Sequence, residues 1–530
     1  MRNNTIIVIS GSSGSGKTTI SRKLYFTLST CGLDAVYREW ENNPDDYFLL
    51  KIPLKLLIKF FPRIHKSNLE RLVQGPKNNK FPLRFKIWPF FIWLDRLAEI
   101  FYLRFFKPHN VTVIHRYIHG VLIALLGYYG WGKNELIDKL YFPKPDIFIM
   151  LDTTPEEVMK RGADYPTLKD AEYWRKNFLN IADKNGYPIV DSSYDVETTF
   201  RNCLRVIVSR MMKNQEDMVL HLLSDPYNYY DRELLERIDF RKLDYNYLYS
   251  YVLELGIGFQ ALGSLLEYDI PEIWRNKFSN KLLELENYSR KVSSAIKEIH
   301  NLFKQNNIKY VMFKTNRPYK HVSRDIDILV DDYKKAFSVL KKDGWVTDLE
   351  QILLSEVHLK KGNIVLDLHD KIERLPKKLL LENVIKNKEE INIPKPELEV
   401  LSILLECIED LQMDLEDIHY IRGLVKENDI NWKEVYNLSK VLGVYKKINQ
   451  LLSIVRLKDI FYYSGKLSRK LPEIKDSGID FQKSLISLVY QFRLAKVKKR
   501  LLFLKLAIRR LISSPFKTIR AGFKRYIFRR

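Results

Sequence analysis

Cysteine is scarce in this chain. Cys31, Cys203 and Cys407 are the only three in 530 residues, and their wide separation matches neither a disulfide framework nor the short spacing of a zinc site. A reducing, cytoplasmic setting is the expectation. Long apolar runs are missing as well: nowhere do 18 or more apolar residues follow one another, and the longest candidate, residues 120–131, is too short for a spanning helix. The first residues lack a basic lead, an apolar core and a cleavage site, so no secretion signal is expected. Acidic residues are absent from 481–530, which holds 15 lysines and arginines and therefore much of the net charge of +23. Apolar residues are not scarce. At 46% hydrophobic content the chain can bury a core in each of about three domains, which excludes a disordered protein.

The acid-free tail is patterned. Leu494, Val497, Leu501, Leu504, Ile508 and Leu511 alternate in steps of three and four, lining one helical face with aliphatic side chains under a cationic flank. A helix lying peripherally on the anionic inner face of a membrane has this design. A C-terminal helix docked on the protein core with a solvated basic outside also fits, and so does a basic face tracking RNA phosphates, although the aliphatic stripe is then unexplained. Residues 53–61 again mix lysine with bulky apolar side chains and equally fit a core segment.

Residues 11–18 read Gly-Ser-Ser-Gly-Ser-Gly-Lys-Thr directly after the apolar run Ile6-Ile7-Val8-Ile9, the full phosphate-loop pattern in a strand-then-loop context. Gly11, Gly14 and Gly16 let the amides of Ser12, Ser13, Ser15 and their neighbours curl around phosphate oxygens without Cβ clashes. Lys17 is expected to reach the β- and γ-phosphates of ATP, and Thr18 to offer its hydroxyl to Mg²⁺, with Thr19 opening a helix whose N-terminus adds partial positive charge. Strands are expected over residues 5–10, 35–38, 111–115 and 147–152, alternating with helices, which predicts a parallel sheet with ligands at its carboxyl ends. Arg38 and Glu39, His115-Arg116-Tyr117, and Asp152 all fall just past such strands. Asp152 is read either as a water-mediated metal ligand or as a cap on the turn that follows.

In their order, the phosphate loop, Arg38-Glu39, Asp95-Arg96, Arg116-Tyr117, the stretch 145–152 and Arg161 make residues 1–212 resemble a thymidylate kinase. The resemblance implies ATP-dependent phosphoryl transfer to a nucleoside monophosphate. It also implies that Arg38, Glu39, Arg96 and Tyr117 bind the acceptor, that Arg116 bridges phosphates, and that Arg161 opens a mobile lid over ATP. Phosphoryl transfer suits such a set, because it depends on placing cations around anions. The chain departs from the family where Asp-Arg-Tyr is expected: His115 stands in the carboxylate's place. The turn after Glu39 is also replaced, and about fifty basic, aromatic residues precede Asp95.

A second site is expected near Asp325-Ile326-Asp327. Strand alternation puts both carboxylates on one face, and Asp367 on the alternating segment 364–369 can join them. Three converging carboxylates form a cation site able to hold two Mg²⁺ ions. The plain alternative pairs Asp325 with Arg324 or Lys314 and leaves Asp367 as a strand end. Residues 308–314, Arg324-Asp325-Ile326-Asp327, the 365–369 strand and Asn431-Trp432 make 220–455 resemble a family of uncharacterised nucleotidyltransferases of polymerase-β type, with Thr315 where a glycine is usual. That resemblance implies nucleotidyl transfer with Asp325, Asp327 and Asp367 as metal ligands.

The expected architecture is an α/β P-loop domain with a parallel sheet (1–212), an α+β nucleotidyltransferase-like domain with helical flanks (215–460), and a basic amphipathic helical tail (481–530). The expected function is an ATP- and Mg²⁺-dependent kinase acting on a nucleotide or small phosphorylated acceptor, fused to a metal-dependent nucleotidyltransferase; a homodimer is compatible. The alternative is a nucleotide-binding scaffold with a degenerate kinase site, at a membrane surface or on RNA.

Overall fold

The computed structural model describes residues 4–40, 49, 83–105, 110–117, 120, 143–163, 165–212, 214–254, 257–314, 317, 319–321, 325–347, 356–372, 375–410, 412–463, 465–474, 477, 479–487 and 490–491. The basic–apolar segment 53–61, residues 121–131, Thr315, Arg324 and the tail over 492–530 lie outside the described residues. The chain divides into two units: one of residues 1–213 with 473–486, the other of residues 214–472 with 487–530.

In the first unit, β1 (Thr5–Gly11) is buried at every position, as expected of a parallel strand covered on both faces. Helix α1 (Lys17–Thr30) follows, entered through Gly16 in the left-handed region (φ 79°). Then come β2 (Ala35–Glu39), α2 (Leu83–Phe105), β3 (Val111–His115), β4 (Ile147–Asp152), α3 (Pro155–Lys160), α4 (Leu168–Asn185), β5 (Ile189–Asp191) and α5 (Val196–Met211). The strands form one sheet in the order β2-β3-β1-β4-β5, and every neighbouring pair is parallel. β1 is central, and its carboxyl end opens into the phosphate loop. Helix starts are locally encoded: the Thr154 hydroxyl accepts from the Glu157 amide with Pro155 in the first turn, and Thr167 caps α4 in the same way.

A strap completes this unit. Ile474 bridges Cys31, donating its amide to the Thr30 carbonyl at 3.2 Å, and the Ser477 amide donates to the Gly32 carbonyl at 2.7 Å. Asn110 donates its side-chain amide to the Ile479 carbonyl. Ile474, Ile479, Phe481 and Leu485 are all buried. Residues Phe481–Ile486 of the expected tail are thus a short helix inside the first unit.

The second unit carries a mixed sheet. After short helices between Gln215 and Leu265, the long α6 (Glu272–Gln305) leads into β6 (Tyr310–Phe313), β7 (Ile326–Val330), α7 (Tyr333–Lys342), β8 (Val346–Thr347), β9 (Glu356–Lys361) and β10 (Ile364–His369). The strand order is β6-β7-β10-β9-β8, with β7 and β10 parallel and the other pairs antiparallel. Val292, Ala295, Ile299 and Phe303 of α6, spaced at helical intervals, join Ile326, Ile328, Leu366 and Leu368 in one core. Helices α8 (Pro396–Asp410), α9 (Leu415–Glu427) and α10 (Tyr445–Tyr462) follow. Their interior is charged: Arg422 is fully buried and donates to Asp225 at 2.7 Å and Asp459 at 3.1 Å. Lys458 of α10, 1% exposed, donates to the Ser487 carbonyl at 2.6 Å. Among the described residues no helix is long and apolar enough to cross a membrane.

Candidate functional site

The phosphate loop is built as its glycines require. A Cβ on Gly11 would stand 2.5 Å from the Leu151 carbonyl oxygen and 2.7 Å from the Ser15 hydroxyl, so no other residue fits there. Lys17 is buried and donates its ammonium to the Ser12 carbonyl at 2.8 Å. Two groups beyond α3 touch the loop: Tyr165 places its hydroxyl 2.8 Å from the Ser13 amide, which donates to it, and Arg161 reaches the Gly14 carbonyl at 3.4 Å. Arg161 also donates to Glu157 and to the Ser192 carbonyl, each at 3.0 Å. The expected lid arginine therefore lies at the loop, and Tyr165 beside it carried no sequence signal.

The end of β3 lies next to the loop. The His115 ring is fully buried; its Nε2 is 2.9 Å from the Thr18 hydroxyl, and its Nδ1 is 3.2 Å from Glu39 Oε1, off the line of a well-aligned hydrogen bond. Burial, then the nearby Lys17, Arg116 and Arg22 cations, push the imidazole down to about 3, so it is neutral. Arg116 follows in the left-handed region at φ 63°, a conformation costing a non-glycine residue about 1–3 kcal/mol.

The expected acceptor residues are brought together, with partners that were not anticipated. Arg96 is buried, donates to Glu99 at 3.0 Å and lies over the Trp40 ring at 4.9 Å. Arg38 is 3.7 Å from the same Glu99. Burial raises the Glu99 carboxyl above its usual range, against the pull of Arg96. Tyr117 stacks on Trp40 with ring centroids 5.1 Å apart. The spacing of Arg96 and Glu99 along a helix was the available sign of this pair. Asp152 is held through both oxygens by Arg175, at 2.8 Å each. That bidentate pair occupies one acceptor site on each oxygen, and the helix that follows is capped by Thr154.

In the second unit β7 and β10 run in register with Asp327 opposite Asp367, and Asp325 precedes β7 by one residue on the face of Asp327. Their side chains are divided between two imidazoles: His358 of β9 bonds Asp367, and His369 Nε2 lies 3.1 Å from Asp327. Among the described residues no three His, Cys, Asp or Glu side chains stand close enough to hold a metal as they are, so the expected convergence is one of strands and not yet of carboxylate oxygens. Electrostatics still mark the set as short of positive charge. Burial, then repulsion from Asp327 and Asp367, pushes the Asp325 carboxyl up to about 6. Burial works the same way on Asp327, but the His369 hydrogen bond and the Lys314 cation outweigh it and hold that carboxyl below its usual value. Lys314 itself sits at φ 61° immediately after β6, its amide donating to Glu399 at 2.6 Å and its ammonium paired with Glu406. The alternative pairing of Asp325 with Lys314 is thus replaced by an acidic partner on α8. An all-oxygen set of carboxylates on adjacent strands suits a hard divalent cation, so the residues fit Mg²⁺ in chemistry.

Residues 255–457 match a family described as an uncharacterised nucleotidyltransferase. No curated protein matches the chain. Solved structures similar to it include thymidylate kinase from Ehrlichia chaffeensis, 20% identical, covering 39% of this chain and 99% of that one with a TM-score of 0.26. Deoxyadenosine kinase from M. mycoides is 18% identical, covering 39% of this chain and 100% of that one with a TM-score of 0.27. The family match falls within the second unit.

Proposed function

We propose that the chain is a two-site transferase: the first unit moves the γ-phosphoryl group of ATP to a nucleotide or related small acceptor, and the second moves a nucleotidyl group. The observation that carries the first half is the placement of a buried Lys17, a sterically obligate Gly11 and the α1 N-terminus around one loop at the end of a central parallel strand. The second half rests on the register of Asp327 with Asp367, which sets carboxylates on neighbouring strands. Lys17 and Arg116 balance charge on the transferring phosphoryl group, Arg161 and Tyr165 cover the loop, and Arg38 and Arg96, held by Glu99, frame the acceptor. Magnesium, when bound, supplies charge neutralisation on the triphosphate; Thr18 would hold it in the first unit and Asp325, Asp327 and Asp367 in the second. His358 and His369 orient the carboxylates of Asp367 and Asp327. The basic, aliphatic pattern of 492–530 supports attachment of the protein to an anionic bilayer.

The test uses the full-length protein. Label from γ-labelled ATP should pass to one member of a panel of nucleosides, nucleotides and sugar phosphates, and Lys17→Ala should abolish the transfer. Label from α-labelled triphosphates should be transferred by wild type and not by Asp327→Asn. No transfer of either label across the panel overturns the reading.

A further inference from the structure

The turn that follows Glu39 begins with Trp40, and this residue meets the side chains expected to hold the acceptor. Its amide donates to the His115 carbonyl at 3.0 Å, so Trp40 and Tyr117 emerge together just past the carboxyl ends of β2 and β3. That is the side of a parallel sheet where ligands bind. Tyr117 stacks on the Trp40 ring at an interplanar angle of 14°, meets Phe148 edge to face at 6.0 Å and donates its hydroxyl to the Pro143 carbonyl. Arg96 lies over the same indole and is bonded to Glu99. Exposures of 6% for Trp40, 2% for Tyr117 and 3% for Arg96 leave no open face on any of the three for a nucleobase to stack on.

What remains unspent there is donor capacity. Trp40 Nε1 and Arg38 Nε, two residues apart at the end of β2, are each shielded from water without a hydrogen-bond partner. Arg38 lies 3.7 Å from Glu99, an ion pair longer than a hydrogen bond, and 39% of its side chain is exposed. Neither an indole N–H nor a guanidinium accepts a hydrogen bond, so a group that satisfies both must bring oxygen lone pairs, and the guanidinium favours a phosphate or carboxylate.

The inference rests on the reading of the first unit as an ATP-dependent phosphotransferase and narrows its acceptor. We propose that Trp40 sets the acceptor class: its ring takes up the Tyr117 and Arg96 surfaces that a nucleobase would need, and its N–H, with Arg38, receives an oxygen-rich anion. The acceptor is a small phosphate or carboxylate without a base. An oxygen of that acceptor bonds the γ-phosphorus while the bond from phosphorus to the bridging oxygen breaks, its electron pair leaving with ADP; where a hydroxyl attacks, its proton passes to water.

The test measures γ-label transfer by the full-length protein to two sets of acceptors: purine and pyrimidine nucleoside monophosphates, and glycerol phosphate, pentose phosphates, hexose phosphates and sugar acids. Wild type should use a member of the base-free set with kcat/KM about tenfold or more above any nucleoside monophosphate. Trp40→Ala uncovers Tyr117 and should raise kcat/KM for nucleoside monophosphates by about tenfold, the worth of one stacked base and a gain that a merely loosened core does not produce. Trp40→Phe keeps a ring and removes the N–H, so it should lose about 3- to 10-fold on the base-free acceptor and stay closed to nucleoside monophosphates. Melting curves establish that each variant is folded; should Trp40→Ala not fold, the wild-type margin and Trp40→Phe decide. The proposal is overturned if the wild-type margin is missing, if folded Trp40→Ala gains nothing on nucleoside monophosphates, or if Trp40→Phe matches wild type on both sets. Wild type that labels only nucleoside monophosphates loses this proposal and keeps the phosphotransferase reading, whereas wild type that labels neither set loses both.

Discussion

The candidate sites of the two units are built from groups of opposite charge. The first offers donors, a lysine and a helix terminus, and its loop is already satisfied internally by the Ser12 carbonyl and the Tyr165 hydroxyl. The second offers acids, of which Asp325 is pushed up to about 6; apart from that set, in the helical core of the same unit, burial pushes Lys458 down to about 7 against the pull of Asp217. Both sites share one device. A basic residue in the left-handed region, Arg116 or Lys314, stands directly after a strand. An anion cradle can be completed from one continuous segment, whereas an acid set drawn from separate strands leaves repulsion that Lys314 and His369 relieve only in part.

The sharpest way to break this comparison is to disable one site and read the other. Lys17→Ala should lower γ-label transfer by about 10²- to 10³-fold and leave α-label transfer untouched, with Asp327→Asn doing the converse. Loss of both activities in either variant would mean one composite site.

Lys458 tests the cost of charge in the second unit. Its folded value lies below the ordinary 10.5, so between pH 7 and 10.5 the unfolded chain binds the extra proton and stability falls as pH drops through that window. Lys458→Met should flatten this slope in chemical denaturation and add roughly 1–4 kcal/mol at pH 7. An unchanged slope would place the cost elsewhere.

Asp325→Asn should abolish α-label transfer yet stabilise the protein by roughly 2 kcal/mol at pH 8. Its folded value lies above the ordinary 3.8, so the native state holds the extra proton between pH 3.8 and 6 and stability is lost as pH rises through that range. A fall in melting temperature at pH 8 would show that the acids are not in conflict. The smallest effect belongs to the first unit: Tyr165→Phe frees the Ser13 amide and should tighten ATP binding by about two- to threefold in calorimetry.

How far these features could be read from residues alone follows from how local each one is. The phosphate loop was legible because glycine conformations and a strand–loop–helix order are demands on consecutive residues. Parallel strands over 111–115 and 147–152 were equally plain, from their β-branched and apolar content. The neighbouring of Asp327 and Asp367 was readable from alternation, whereas their imidazole partners depend on cross-strand register. Gly362 and Asn363 between alternating segments announce a two-residue hairpin, and that register puts His358 opposite Asp367. The Asp152–Arg175 pair joins β4 to α4 across 23 residues with no periodic relation, so only tertiary packing reveals it. The return of the strap to the first sheet lay equally beyond any local pattern.

That strap has a consequence for biosynthesis. Because residues 473–486 belong to the first unit, a nascent chain released from the ribosome as far as residue 213 still lacks Ile474, Ser477 and Ile479, the residues that seal the edge near Gly32 and Asn110. The N-terminal fold is finished only after the second unit has been translated, so a cut at residue 213 yields a first fragment that lacks its own strap.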